Sequence, residues 1–459
     1  MNFQEILEKV EKYRIQYNNT LKDKIIEGMH QQIDEILQDT IEYKQSNDIL
    51  TKIENYIDYF ITSRIGGIFV LISLLSLILW ITITGANYIS EFLSNIFASI
   101  EVFLRNSSNL LRIPPTVSSF LIDGIYKSLS MVVSVMLPPM AIFFPLFTFL
   151  EDLGLLPRIA LNMDKLFKMV GAHGNQALTM MVGFGCNAAG VISTRIIKSP
   201  KERLIAIITN NFMPCNGRWP LLIMISTLFL APLISESLNP LLGSLIAALA
   251  LVASVIIGLF FTLIVSLGIS KSLKSIPSFY ILEIPPYRKP NLLRIIYTSI
   301  IDRTVFVLMR AVYMAIPAGA FVWFLNYFNL STPIINFLTP FGKMFGLDGV
   351  IILSYIIALP ANELVIPSLL MLYTNAKNFI DIEEFKSIYQ ILSTYGNWDW
   401  KIALSVMLFS ILHNPCTTTI LTIYKETKSI KWTAIATLLP LSIAFTVLFI
   451  LNNLILKHL

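Results

Sequence analysis

The chain has 459 residues, 55% of them hydrophobic and only 14% charged, with a mean hydropathy of +0.69. Soluble domains carry nearer a quarter charged residues, so this composition excludes a soluble globular domain and predicts an all-α polytopic membrane protein. The formal charge of +5 sits in short loops, where it reports orientation rather than nucleic-acid binding, and three cysteines inside or beside apolar runs argue for reduced thiols rather than a disulfide framework.

Residues 1–60 are mixed in charge, and Leu21, Ile25, Met29, Ile33, Ile36 and Ile41 recur at helical spacing. That pattern predicts a helical head used for docking or self-packing, with no signal peptide ahead of the first span. The span runs from Ile65 to Ile83 behind Lys52 and Arg64, which puts the N-terminus in the cytoplasm. Residues 86–114 hold Glu91, Glu101, Arg105 and Arg112 and read as an interfacial helix, closing a segment 61–115. Further apolar runs fall at 127–150, 177–197, 204–234, 239–269, 305–328, 350–373, 401–422 and 432–452, and the loop 271–303 is basic and cytoplasmic in character. The expected divisions are a first repeat at 116–235, a linking span and basic loop at 236–303, a second repeat at 304–428 and a C-terminal span at 429–459.

The run at 177–197 contains Gly183-Phe184-Gly185-Cys186-Asn187-Ala188-Ala189-Gly190, poor material for a helix facing lipid. Irregular backbone inside a bilayer is tolerated only under protein or water cover, and transporters place binding sites at such breaks. Lys168-Met169-Val170-Gly171 matches Lys343-Met344-Phe345-Gly346 at an offset of 175, which also carries Asn187 onto Asn362, beside Glu363. Each break precedes a Pro-Cys pair, Pro214-Cys215 and Pro415-Cys416. The loop after the first break holds Arg195, Lys198, Lys201 and Arg203, whereas its counterpart holds Asp381, Glu383, Glu384 and Asp399. The contrast predicts an inverted repeat with two broken or re-entrant helices: seven crossings and two hairpins.

Enzyme motifs are missing. The sequence has no G-x-x-x-x-G-K-[ST], HExxH, CxxC or G-x-S-x-G, and Gly183-x-Gly185-x-x-Ala188 lacks the strand–helix–strand unit of a dinucleotide fingerprint. A transporter, not an enzyme, is expected.

The motifs Phe149-Leu150-Glu151-Asp152-Leu153-Gly154-Leu155-Leu156-Pro157-Arg158, Gly183-Phe184-Gly185-Cys186-Asn187 and Phe212-Met213-Pro214-Cys215 resemble the first Gate region of FeoB, a family of ferrous-iron transporters. Leu282-Glu283-Ile284-Pro285-Pro286-Tyr287-Arg288-Lys289-Pro290 resembles its central loop, and Asn362-Glu363, His413-Asn414-Pro415-Cys416 and Tyr424-Lys425-Glu426-Thr427 resemble its second Gate region. The resemblance covers roughly residues 48–452 and implies transport of Fe(II), or a similar divalent metal, across the inner cell membrane. The family usually begins with a GTPase domain, and no P-loop is found here, so a separate GTPase subunit or small accessory protein is one expectation and transport without one is the other. Gate regions also resemble parts of nucleoside transporters, which keeps an organic-solute carrier as the alternative. Lipid is the surrounding partner, no nucleic acid or permanently bound cofactor is expected, and self-association stays open.

Fe(II) accepts imidazole and thiolate as well as carboxylate and amide oxygen. The expected metal-lining residues are Cys186, Asn187, Cys215, Asn362, Glu363 and Cys416, with Glu151, Asp152 and His413 as candidates for gating or admitting the ion. Blander readings stand beside these. A buried cysteine is often a small hydrophobe. Asn187 and Asn362 could equally cap broken half-helices, and Glu151 and Asp152 could be a solvated pair closing a span. His173 reads as a loop residue and Met213 as packing, while Arg218 is expected to satisfy carbonyls freed by Pro214 and Pro220. Glu363 is the sharpest candidate, because an ionisable group deep in a span costs about 2.5–3.5 kcal/mol on insertion scales.

Overall fold

A computed structural model describes residues 49–172, 174–232, 240–273, 290–374 and 385–455, with some helical positions between 25 and 36. His173, Leu282 to Lys289, Asp381, Glu383, Glu384, Leu21 and Ile41 lie outside the described residues. Among those described, every regular element is helical, so the all-α polytopic expectation holds. Five helical stretches are long and apolar enough to cross a bilayer: Ile72–Leu110, Pro115–Asp152, Gly243–Ser272, Trp400–Thr427, which is interrupted at 413–416, and Ile430–Leu454. In the N-terminal head, Ile25, Met29, Ile33 and Ile36 are helical and exposed.

Helix α1 (Ile49–Thr62) is followed by α2 (Arg64–Leu110), whose first turn is capped by Ser63 accepting from Gly66 N at 3.0 Å. The separate interfacial helix expected at 86–114 is corrected: α2 runs unbroken for 47 residues, roughly 70 Å. Its charges do not break it, because Arg105 bonds Glu101 one turn back and reaches Asp123 of the next helix at 2.5 Å. The paired prolines Pro114 and Pro115 then open α3 (Pro115–Asp152), which packs along α2.

The first repeat continues through α4 (Leu155–Met169), α5 (Asn175–Gly185), α6 (Asn187–Ser193), α7 (Pro200–Thr209) and α8 (Trp219–Leu230). Helix α9 (Pro240–Ser272) packs on α2 and α7, and leads to α10 (Leu292–Tyr297) and α11 (Phe306–Tyr327). Then come α12 (Ser331–Lys343), α13 (Gly349–Ile357), α14 (Val365–Tyr373), α15 (Phe385–Gln390), α16 (Trp400–Leu412), α17 (Thr417–Thr427) and α18 (Ile430–Ile450).

The internal repeat is written into the backbone at the predicted offset. Gly154 and Asn329 have φ of 80° and 54°, and Gly171 and Gly346 have φ of 72° and 68°. At the breaks, Cys186 has φ −154° and ψ 124°, while Ala361 has φ −154° and ψ 123°. Both broken segments fold back. A methyl added at Gly183 would sit 2.8 Å from Asn210 Oδ1 and one at Gly190 2.7 Å from the same atom, whereas seven residues of continuous helix would separate them by about 10 Å. In the second segment, Asp348 caps α13 by accepting from Ile351 N at 2.6 Å, and Tyr373 at the far end of α14 donates to the other oxygen of that carboxylate.

Helix α18 serves as a ruler for the inversion. Just before it, Glu426 binds Arg195 and Arg203, which follow the first hairpin, at 2.6 and 2.5 Å. Just after it, Asn452 and Asn453 donate to the carbonyls of Phe345 and Met344, which precede the second hairpin, at 2.9 and 3.2 Å. The 21 residues between span about 31 Å, close to the thickness of a bilayer core. The hairpins therefore enter from opposite ends.

Two of the expected apolar runs are interrupted at their Pro-Cys pairs. The run 204–234 is divided between α7 and α8, and the run 401–422 between α16 and α17. Pro214 and Pro415 each remove a backbone donor, so each chain turns a non-helical corner there.

Candidate functional site

Each corner returns to the hairpin tip of its own repeat. Asn216 N donates to Gly185 O at 3.4 Å in the first, and Thr417 N donates to Leu359 O at 2.9 Å in the second. The tips and corners of both repeats then meet. Asn362 Nδ2 lies 3.9 Å from Cys215 Sγ, and Asn362 Oδ1 lies 3.4 Å from His413 Nε2. The carboxylate of Glu363 lies against Gly217, where an added methyl would come within 2.8 Å of its Cδ. Cys186 and Glu363 are both close enough to Cys215 and Cys416 to interact with them electrostatically. Cys215, Cys416, Asn187, Asn362, Glu363 and His413 are buried, and Cys186 is half-buried.

The imidazole of His413 is oriented for work at Nε2. Its Nδ1 faces the carbonyls of Phe409 and Ser410 at 3.2 and 2.9 Å, which only accept, so Nδ1 carries the proton and Nε2 presents its lone pair. A backbone carbonyl on the far nitrogen is the usual support of a histidine ligand. Exchanging N and O of the Asn362 amide would satisfy both neighbours, with N–H to His413 Nε2 and the Cys215 thiol to the oxygen. Among the described residues, no three side chains of His, Cys, Asp and Glu yet stand close enough together to hold one ion. Thiols, imidazole, amide and carboxylate are gathered here from both repeats.

The capping reading of the two asparagines is corrected. Neither half-helix after a break receives a side-chain cap; instead Asn187 Nδ2 reaches Asn211 Oδ1 at 3.5 Å and Asn362 spans Cys215 and His413. Glu151 and Asp152 are not brought to the cluster. They end α3, where Glu151 is exposed and Asp152 accepts from Asn291 N at 3.2 Å.

The comparisons with known proteins follow the same outline. The Gate family model, described as nucleoside recognition, matches residues 133–229 and 308–430, so it falls on both hairpins and both corners. A model of the ferrous iron transport protein B C terminus matches residues 251–302. A curated Fe(2+) transporter FeoB from Staphylococcus aureus (strain MSSA476) is 25% identical over 91% of the chain, and one from Methanocaldococcus jannaschii is 26% identical over 93%. The chain is similar to these FeoB transporters over most of its length. It covers 61% and 62% of the lengths of those two relatives, and 67% of a Campylobacter jejuni FeoB to which it is 25% identical. No solved structure matches it.

The residue that joins the two corners is one the sequence reading assigned to local carbonyls alone. Arg218 is 1% exposed and lies between the repeats. Its Nη1 donates to Asn211 O at 2.8 Å and Ile411 O at 2.9 Å, and its Nη2 to His413 O at 3.1 Å. The expected role with nearby carbonyls is met at Asn211 O and extends further: Ile411 O is the carbonyl four residues before Pro415, in the other repeat. Asn211 Nδ2 adds a second tie to His413 O at 2.8 Å. The one available signal was a cation within four residues of a Pro-Cys pair in an apolar run. Gly217 was missed, because nothing local announces that a carboxylate 146 residues away lies against it.

Proposed function

We propose that the chain is a permease for Fe(II), or a divalent metal of similar softness, and that Cys186, Asn187, Cys215, Asn362, Glu363 and Cys416 line the ion's path, with His413 Nε2 as a further donor. The observation that carries this reading is the contact between Asn362 of one tip and Cys215 of the opposite corner, with His413 on its other side. Sulfur and imidazole beside amide oxygen separate a borderline cation from Mg and Ca, which favour all-oxygen shells. The curated relatives named as Fe(2+) transporters support the same cargo. By the positive-inside rule, the end bearing Arg195, Lys198, Lys201 and Arg203 belongs to the cytoplasm of a cell bounded by this inner membrane, with the N-terminus on the same side. The head at 1–60 is then the natural seat for a separate GTPase or accessory protein.

Thiolate ligation releases protons, so occupancy falls as pH drops. The test is uptake of radiolabelled ferrous iron into proteoliposomes under reducing conditions. Cys186→Ala and Glu363→Gln are each expected to slow uptake about tenfold or more. Wild-type rates from both variants would remove the site, and competition by nucleosides would favour the organic-solute alternative.

A further inference from the structure

A line of polar side chains continues from the cluster into the first hairpin. Asn211, tied to His413 O, bonds Asn187 across the hairpin, and Asn210 Nδ2 donates to Asn187 O at 3.1 Å. One residue earlier, Thr209 Oγ1 accepts from Gln176 Nε2 at 2.6 Å, and Gln176 Nε2 lies 3.5 Å from Ser266 on α9. Gln176 stands in the first turn of α5, near the hairpin's base, so the line runs from the thiols to that base. All of these residues are buried. Gln176 Oε1, Asn187 Oδ1 and Asn210 Oδ1 have no hydrogen-bond partner among the described residues. Orphaned oxygens are rare in native interiors and mark places that take water or an ion.

The other repeat supplies an internal control. At the offset of 175 set by the hairpins, Gln176 falls on Ile351. At the offset of 201 set by the Pro-Cys corners, Asn210 and Asn211 fall on Ile411 and Leu412, and Thr209 on Ser410. The three apolar replacements are fully buried. The same backbone plan thus carries amides on one side of the cluster and aliphatic side chains at three of the four matched positions on the other.

We propose that the polar line is a water-filled lane carrying the cation, with its water shell, between the thiol cluster and the end of the molecule that bears Arg195, Arg203 and Glu426. The matching position in the second repeat is an apolar plug. The proposal rests on the permease reading and adds a route to it. Neutral amides and hydroxyls suit this task, since they hydrogen-bond the water shell of a dication without the attraction that a carboxylate would exert. The lane contributes no thiol, so it leaves the affinity of the cluster to other residues.

The experiment reads binding and flux separately. Co(II) added to the purified protein reports binding through its thiolate charge-transfer absorption, and Co(II) uptake into proteoliposomes reports flux. Gln176→Leu combined with Thr209→Val is expected to leave the Co(II) titration unchanged and to cut flux by ~10-fold or more, while Thr209→Ser retains wild-type flux. Unchanged binding with wild-type flux in the double variant would overturn the lane alone. A wild-type protein that neither binds nor carries Co(II) would overturn the permease reading and the lane with it. Should the double variant fail to fold, Thr209→Cys and Ser410→Cys are compared by reaction with a charged methanethiosulfonate, read by peptide mass spectrometry. The lane requires modification at 209 to be at least ~10-fold faster than at 410, and equal rates would overturn it.

Discussion

The two hairpins share a backbone and little else. Their tips have the same dihedral angles to within a degree, yet the arms of the second are more deeply buried than those of the first. In α13 every residue except Ile356 is buried, and in α14 every residue from Val365 to Leu372. Its open end is closed by Asp348, Tyr373 and Trp398, whose Nε1 donates to the Tyr373 hydroxyl at 2.9 Å. In α6, by contrast, Ala189 and Ile192 are exposed, the arms close on the amide of Asn210, and the exit is held by Arg195 and Arg203 on Glu426. Inversion of a duplicated unit fixes where the chain goes, and side chains then make one copy an anchor and the other a polar, less sealed arm.

The sharpest way to break this comparison is at the residue that has no counterpart. Arg218 falls on Thr419 when the Pro-Cys corners are aligned. Arg218→Leu strips buried carbonyls of both repeats of a charged donor and is expected to cost about 3 kcal/mol or more. Thr419→Val loses only the 3.3 Å contact with Cys416 Sγ and is expected to cost about 1 kcal/mol. Thermal unfolding of the detergent-solubilised variants measures both. Arg218→Lys is expected to resemble the leucine variant, because an ammonium lacks the planar fork that reaches several carbonyls at once. Equal losses at 218 and 419 would mean that the corners contribute alike.

A smaller effect is expected from exchanging side chains at the two tips. Cys186 and Ala361 occupy matched backbone positions, so Ala361→Cys places a thiol at the same point of the other hairpin. In a Cys186→Ala background it is expected to leave iron uptake depressed by about tenfold, since the asparagine and corner it adjoins differ from those of the first tip. Full recovery of uptake would show that the cluster is symmetric in its chemistry.

The sequence made the plan of this fold readable to an unusual depth. The offset read from Lys168-Met169-Val170-Gly171 and Lys343-Met344-Phe345-Gly346 is the offset at which the left-handed glycines recur. Glycines and a buried glutamate marked the breaks because such residues are costly in a helix facing lipid. What stayed hidden was long-range or was a matter of continuity. Glu91, Glu101 and Arg105 looked like the boundary of a span, yet an i,i+4 pair and a bond to Asp123 let one helix absorb them. The asparagines looked like caps because a local rule gives them that use, while their actual partners, Asn211, Cys215 and His413, come from elsewhere in the fold. Arg218 was assigned to nearby carbonyls by the same local habit, and only the folded arrangement shows that it crosses between repeats.

The least disruptive test concerns the exit of the first hairpin. Among the described residues, Glu426 pairs with both Arg195, on the segment leaving α6, and Arg203, in the first turns of α7. Removing its charge leaves the apolar contacts between Val191, Ile207, Ile208 and Ile423 in place, so the fold should persist. The arm would lose the ties that hold it to α17 and open more often. Glu426→Gln is therefore expected to raise backbone hydrogen exchange in residues 187–197 roughly threefold, the size suited to partly solvated ion pairs. Among the described residues, no hydrogen bond or ion pair joins 349–373 to these charges, so that stretch should exchange at the wild-type rate. A matched increase in both hairpins would mean that they open as one body, and the contrast between anchor and arm would not describe their motion.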